Sequence, residues 1–376
     1  MPKFTLQDFQ NQTPALLDLL HELVEIESPT TEKASVDALG RFVADRCAAA
    51  GAHLKSFPQS SAGDHWLVSW GEGSEGVLLL AHLDTVHPAG TLRQMPWSVS
   101  GGRATGPGAI DMKGGIAVAL GALEALARSD SLPPRPVRIL FTTDEETGSR
   151  TSRALIEDQA RRHRVVFCLE PAMPDGALKT WRKGTGVFTL ETIGVASHAG
   201  NSPENGVNAI VEMAHQILRV QALARPEVGT TVSVGVIEGG TRTNVVPARC
   251  RVKVDMRVME SGEPTRVSKA MDALTPELPG SKLRISGGWN RPPMARTPVM
   301  AATFERARAI GRDLGLDLQE SGTGGGSDAN FVAALGIPVL DGLGPLGNGA
   351  HSDHEFVTVS SLAERAALLA ALLTDW

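Results

Sequence analysis

Cysteine is scarce in this chain of 376 residues: Cys47, Cys168 and Cys250 are an odd number with no CxxC spacing. That excludes a disulfide-stapled scaffold and a thiolate metal site, and it is ordinary usage for a reducing compartment. No apolar run approaches twenty residues, so no membrane span is expected. Excess basic charge is also missing. The 36 Lys and Arg against 42 Asp and Glu leave a formal charge of −6, with no long run of either sign, so neither nucleic acid nor a membrane surface is expected as a partner. The first thirty residues are apolar at helical intervals but broken by charges, and form no signal-peptide core. With the starting methionine, this makes the cytoplasm the expected location.

What is present suits a soluble α/β protein. At 42% apolar residues the chain can bury a large core, and its length falls where one core usually becomes two. The forty glycines have no collagen period, so they mark tight turns and close backbone approaches. A helix is predicted from a Thr13 cap and Pro14 to about Glu27, stopped at Ser28–Pro29. A second covers about Ala34 to Ala50. GVLLLAHLD reads as a strand buried on both faces, followed by a small-residue helix at 113–128 and further buried strands, VRILFTTDEE and VVFCLE. SLPPRP at 131–136 reads as a tight turn. From about Lys179 the pattern changes to strand, helix (about Asn205 to Ala222), strand, strand, helix (265–275), strand, the order of a ferredoxin-like α+β unit. A buried strand, GIPVLDG, returns near 337–342. The expected partition is 1–179 and 291–376 for a discontinuous catalytic domain, with 180–290 inserted.

The ends of the core strands carry the chemistry. His82 and Asp84 follow VLLLA, Glu145 and Glu146 follow ILFTTD, and Glu170 follows VVFCL, on the edge where open α/β sheets bind ligands. Adjacent carboxylates repel unless one is protonated or a cation intervenes. Imidazole with carboxylates suits Zn²⁺, Mn²⁺ or Co²⁺, zinc foremost. Asp84, two residues on in extended geometry, can hold the far nitrogen of the His82 ring. Asp111, flanked by glycines in TGPGAIDMKGG, can be turned between two ions. A late HSDHE adds His351 and His354, between which spacing does not choose. GTGGGSDAN lacks the lysine of a phosphate-binding P-loop and follows no first strand, which excludes a nucleotide site.

In order along the chain, HLDTVH, GPGAIDMKGG, TTDEETGS, LEPA, SHAGNSPENGVNAI, GGTRTNVVPA, DMR, GGGSDANF and GNGAHSDHEF resemble the M20 metallopeptidase family, in its glutamate carboxypeptidase branch, from about residue 15 to the end. The resemblance implies a zinc-exopeptidase-type mixed sheet flanked by helices, with the insertion as a lid and dimerisation domain of a homodimer. It also implies two zinc ions per subunit, with Co²⁺ or Mn²⁺ as substitutes. Asp111 would bridge them, His82 and Glu170 would complete one and Glu146 and His351 the other. Glu145 would be the general base, Asp84 the support of His82, and Asp111–Met112 a cis peptide. His198 would steady the tetrahedral oxyanion, while Arg257, Asn244 and the backbone around Gly326 and Ser327 would grip the substrate's terminal carboxylate. His21, His53, His65, His87, His163 and His215 have no motif partners and are assigned to surface or packing. The implied activity is amide hydrolysis by an ion-activated water, releasing a C-terminal amino acid, with glutamate a candidate, from a short peptide or N-acylated amino acid. An N-acyl-amino-acid deacylase is the alternative, and a noncatalytic peptide or metabolite binder a more distant one.

Overall fold

The protein is described by a computed structural model covering residues 4–133 and 135–376. Pro134 of the expected SLPPRP turn lies outside the described residues. The chain divides into two compact units: residues 1–181, 296–323 and 327–376, and residues 182–295 with 324–326.

In the first unit a six-stranded mixed sheet runs in the order His53–Phe57, His65–Trp70, Val137–Thr142, Val77–His82, Val165–Cys168, Val339–Leu340. The last four strands are mutually parallel, and His65–Trp70 runs antiparallel to both of its neighbours. All six residues of Val77–His82 are buried, as the unbroken apolar run requires of a central parallel strand. In register, His82 pairs with Thr142, and Leu80 with Cys168. The segments carrying Asp84, Glu145–Glu146 and Glu170 therefore leave the sheet at one edge. The largely exposed edge strand His53–Phe57 and the partly buried His65–Trp70 were not anticipated from sequence, because neither carries the continuous apolar run of a central strand.

Helices Thr13–Glu25, Gly114–Arg128 and Val359–Asp375 pack on one another around a core that includes Leu16, Leu20, Leu23, Ile116, Leu120, Leu369 and Leu373. Each such side chain contributes about 1.5–3 kcal/mol by leaving water. Close approach explains the small residues of Gly114–Arg128: a Cβ on Gly115 would lie 2.0 Å from the Leu169 carbonyl oxygen. Any side chain there would push the helix off the segment that carries Glu170. The first long helix is not capped by Thr13. Thr13 lies inside it, Gln12 is the cap residue, and a separate short helix, Leu6–Gln10, precedes it with a Thr5–Asp8 capping box.

The second unit is a four-stranded antiparallel sheet in the order Thr231–Gly239, Arg249–Val258, Gly184–Ile193, Lys282–Arg291. Helices Ala209–Gln221 and Glu263–Asp272 complete a βαββαβ ferredoxin-like arrangement. The first of these helices starts later than expected. Asn208 is its cap, its Oδ1 accepting from the amides of Ile210 and Val211 at 3.0 and 3.1 Å, and Asn205 closes a separate 3₁₀ turn. Asn208→Ala is expected to cost about 1 kcal/mol of stability, and Asn208→Asp to retain it. Urea unfolding checks this, and equal stability of the alanine variant and the parent would show that the cap contributes nothing. No helix among the described residues is long and apolar enough to cross a membrane.

Candidate functional site

The first unit brings His82, Asp111, Glu146, Glu170 and His351 together. His82 is buried and its Nε2 lies 3.1 Å from Asp111 Oδ1 and 3.7 Å from Glu170 Oε1. His351 Nε2 lies 3.2 Å from Asp111 Oδ2 and 3.1 Å from Glu146 Oε2. The two oxygens of Asp111 are thus divided between two sets, one with His82 and Glu170, the other with His351 and Glu146. The Asp111–Met112 peptide is cis. His351 adopts φ 64°, a left-handed conformation that is uncommon for a residue with a Cβ and is concentrated at functional sites. His354, the other histidine of the motif, is exposed and contacts Asp353.

The His82 tautomer is set by its second ring nitrogen. Nδ1 lies 2.9 Å from the backbone carbonyl oxygen of Asp84, which can only accept, so Nδ1 carries the proton and directs Nε2 at the cluster. The Asp84 carboxylate is farther off, at 3.5 Å. The expected support of His82 by Asp84 therefore comes chiefly through the main chain. The Asp84 carboxylate is occupied elsewhere. It accepts from the amides of Glu145 and Glu146, each at 3.2 Å, and from Thr30 Oγ1 at 2.8 Å. Burial alone would raise its pKa, but these donors and His82 hold it below the usual range. Asp84 thus pins the turn Glu145–Thr147 at the end of Val137–Thr142.

Three carboxylates beside two imidazoles must be balanced by protons or cations. Hydrogen bonds to Asp111 and Glu146 push His351 up to about 11. Burial would depress His82, but Asp111 and Asp84 override it and raise it well above its ordinary value. Burial also raises Glu146, and its Oε1 is buried with no hydrogen-bond partner among the described residues. Ligand atoms of His82, Asp111 and Glu146 all lie within 4.8 Å of one another. This donor set fits divalent cations: an orphaned carboxylate oxygen and imidazole nitrogens aimed at one place are what a borderline metal requires.

Sequence reasoning missed Glu355. It is fully buried, and its carboxylate accepts from the amides of Gly108, Ile110 and Asp111 at 3.1, 2.7 and 3.0 Å. His87, assigned to surface or packing, lies with Nε2 2.7 Å from Glu355 Oε2. The only trace in the sequence was the glutamate of HSDHEF, and backbone donors leave no side-chain motif. Ser327, expected beside the substrate, faces the interior of the first unit. It is fully buried, its hydroxyl donates to Asp341 at 2.9 Å and its amide to Asn330 Oδ1 at 2.9 Å, so both groups are spent on the interior. His65 and His163 are likewise buried, bonded to Thr143 and Thr151, and to Gln159 and Arg138.

The other candidates lie in the second unit. Exposed His198 accepts from the amides of Gly200 and Asn201 on Nδ1, at 3.2 and 3.0 Å, so Nε2 must carry the proton. Asn244 is exposed, and its backbone carbonyl accepts from the Ala199 amide at 3.0 Å. Arg257 closes its fork on Asp255, with Nε and Nη2 at 2.8 and 2.9 Å from the two carboxylate oxygens, and Nη1 approaches the Gly324 carbonyl at 3.5 Å. A Cβ on Gly326 would meet Arg291 Cδ at 2.8 Å.

A family model described as peptidase family M20/M25/M40 matches residues 78–375. The chain is 31% identical to carboxypeptidase G2 of Pseudomonas sp. (strain RS-16), over 97% of this chain and 90% of that protein. It is 27% identical to a succinyl-diaminopimelate desuccinylase of Methylobacterium sp. (strain 4-46), over 96% of each. Its fold is similar to that of the aminopeptidase PepT of Bacillus cereus ATCC 10987, with a TM-score of 0.82 at 23% identity over 96% of this chain and 98% of that one. A cluster of imidazoles and carboxylates at the strand ends, in a chain matched along most of its length, leads to one conclusion: the protein belongs to peptidase family M20/M25/M40 and is a metal-dependent hydrolase.

Proposed function

We propose that this hydrolase is a two-metal exopeptidase, with zinc foremost and Co²⁺ or Mn²⁺ suited to the same donors. On this reading it releases a C-terminal amino acid, with glutamate the first candidate, from short peptides or N-acylated amino acids. The observation that carries the reading is the division of Asp111, one oxygen toward His82 and the other toward His351. His82, Asp111 and Glu170 would hold one ion and His351, Asp111 and Glu146 the other. Bound there, the ions would acidify a water and polarise an amide carbonyl.

The chain's own groups then divide the work. Glu145 takes the proton of the attacking water and returns it to the leaving amine, from a turn whose amide is held by Asp84. His198 donates a hydrogen bond from Nε2–H to the tetrahedral oxyanion, a role supported by the two amides that occupy Nδ1. Arg257 and Asn244 bind the terminal carboxylate, beside the backbone at Gly326. A guanidinium fork matches that group, so a substrate carboxylate would compete with Asp255 or use the Nη1 edge. A homodimer through the second unit is part of the same reading. Its support is the edge strand Thr231–Gly239, with Val236 and Ile237 45% and 58% exposed, since an open apolar edge favours pairing. The three buried free cysteines suit a reducing cytoplasm.

The carboxypeptidase reading leads because the 31% relative exceeds the desuccinylase in identity over a similar share of the chain. A panel of glutamate-terminated dipeptides, N-acetyl amino acids and pteroyl-glutamate, run on protein of measured metal content, tests it. Release of glutamate from the first and last is expected. Turnover of the acetylated substrates alone would replace this reading with that of a deacylase.

A further inference from the structure

The segment bearing Asp111 is held by a single side chain from the far end of the sequence. Glu355 Oε1 accepts from the amides of Ile110 and Asp111, and Oε2 from the amide of Gly108 and from His87 Nε2. All four donors aim at one fully buried carboxylate. Converging backbone amides of this kind form a nest for an anion, and bonds to an ionised acceptor are shorter and stronger than neutral ones. Gly108 makes the nest possible: it sits at φ +72°, and a Cβ there would meet Thr85 Cγ2 at 2.5 Å.

The three segments joined at Glu355 are the ones that carry the candidate ligands. His87 follows His82 and Asp84 by a few residues, the amides belong to the turn that presents Asp111, and Glu355 itself lies four residues beyond His351. Asp111 must meet His82 with one oxygen and His351 with the other, so a small slip of its backbone would open one set or both. The carboxylate needs no contact with substrate or ion to prevent that slip.

We propose that Glu355 is a positioning residue for the metal centre, fixing the Asp111 backbone between His82 and His351, and that His87 is its fourth anchor. The proposal rests on the two-metal reading of the cluster. A glutamine at 355 can accept on one side only and would turn N–H groups toward the Gly108 amide and His87. His87→Ala removes one donor of four and leaves the three amides, and His87→Gln restores an N–H there.

The test is calorimetric titration of metal-stripped parent, Glu355→Gln, His87→Ala and His87→Gln proteins with Zn²⁺, with kcat and KM followed against added metal. In Glu355→Gln one of two ions should bind about 10- to 100-fold more weakly, the usual effect of losing a group that orients metal ligands. Excess Zn²⁺ should restore kcat with KM unchanged. His87→Ala should shift the same step by a smaller factor and His87→Gln should recover it. If Glu355→Gln does not fold, the His87 pair decides. Two ions bound with parental affinity in the folded variants would overturn the positioning role alone. A parent that binds no second ion would overturn the two-metal reading beneath it.

Discussion

Replacing Glu145 by glutamine is expected to lower kcat by about 100- to 10,000-fold, the usual worth of a positioned general base, with bound metal, fold and KM close to the parent's. Glutamine preserves the length and one acceptor oxygen but cannot take a proton. The turn itself should survive, because the amides of Glu145 and Glu146 are held by the Asp84 carboxylate. The neighbouring Glu146→Gln provides the contrast. Its carboxylate stands 3.1 Å from His351 and has one buried orphaned oxygen, so that variant should lose metal as well as rate. Steady-state kinetics with metal analysis on both proteins separates the two roles. If Glu145→Gln keeps metal and fold yet hydrolyses substrate at the parent's rate, Glu145 is not the base.

Metal affinity should climb steeply with pH, by up to about tenfold per pH unit for each imidazole that must lose a proton. Hydrogen bonds to Asp111 and Glu146 raise His351 to about 11 in the folded chain, and His82 is raised as well once Asp111 and Asp84 overcome the effect of its burial. A raised histidine stabilises the metal-free fold below its unfolded value of about 6.5. It loses that contribution as pH rises through the folded value. Between those limits the metal-free cluster holds protons where ions would bind, so binding must release them. Competition against a chelator from about pH 6.5 to 8.5 should show a gain of up to about 100-fold per histidine, and His351→Ala should reduce the slope by one. Affinity independent of pH would mean that both rings are already neutral without metal.

Much of this was legible in the chain because the relevant signals are local. The apolar run before His82 specifies a buried central strand whatever surrounds it, and its polar successors must then sit at the strand end. The small-residue helix after Asp111 and the βαββαβ order were readable for the same reason. Helix starts were less so. Thr13 and Asn205 are good caps by type, but Gln12 and Asn208 occupy the positions, since the cap is set by where the helix is seated. Asp84 was identified while its main role was not. The donors on its carboxylate are the amides of Glu145 and Glu146, 61 and 62 residues away, and amides carry no residue identity.

By itself the sequence determined which side chains could perform chemistry: the histidines, the carboxylates and the glycine-rich segments that present them, in an order that specifies the family. The tertiary structure decided how they are shared. It divided the two oxygens of Asp111, chose His351 over His354 as its neighbour, withdrew Ser327 into the interior and set Glu355 and His87 under the turn at 108–111. The physical reason is the geometry of hydrogen bonds, whose direction and reach of about 3 Å depend on where distant backbones meet. Residue type and spacing govern which groups are available, and only the packed chain brings a carboxylate at 355 to the amide at 111.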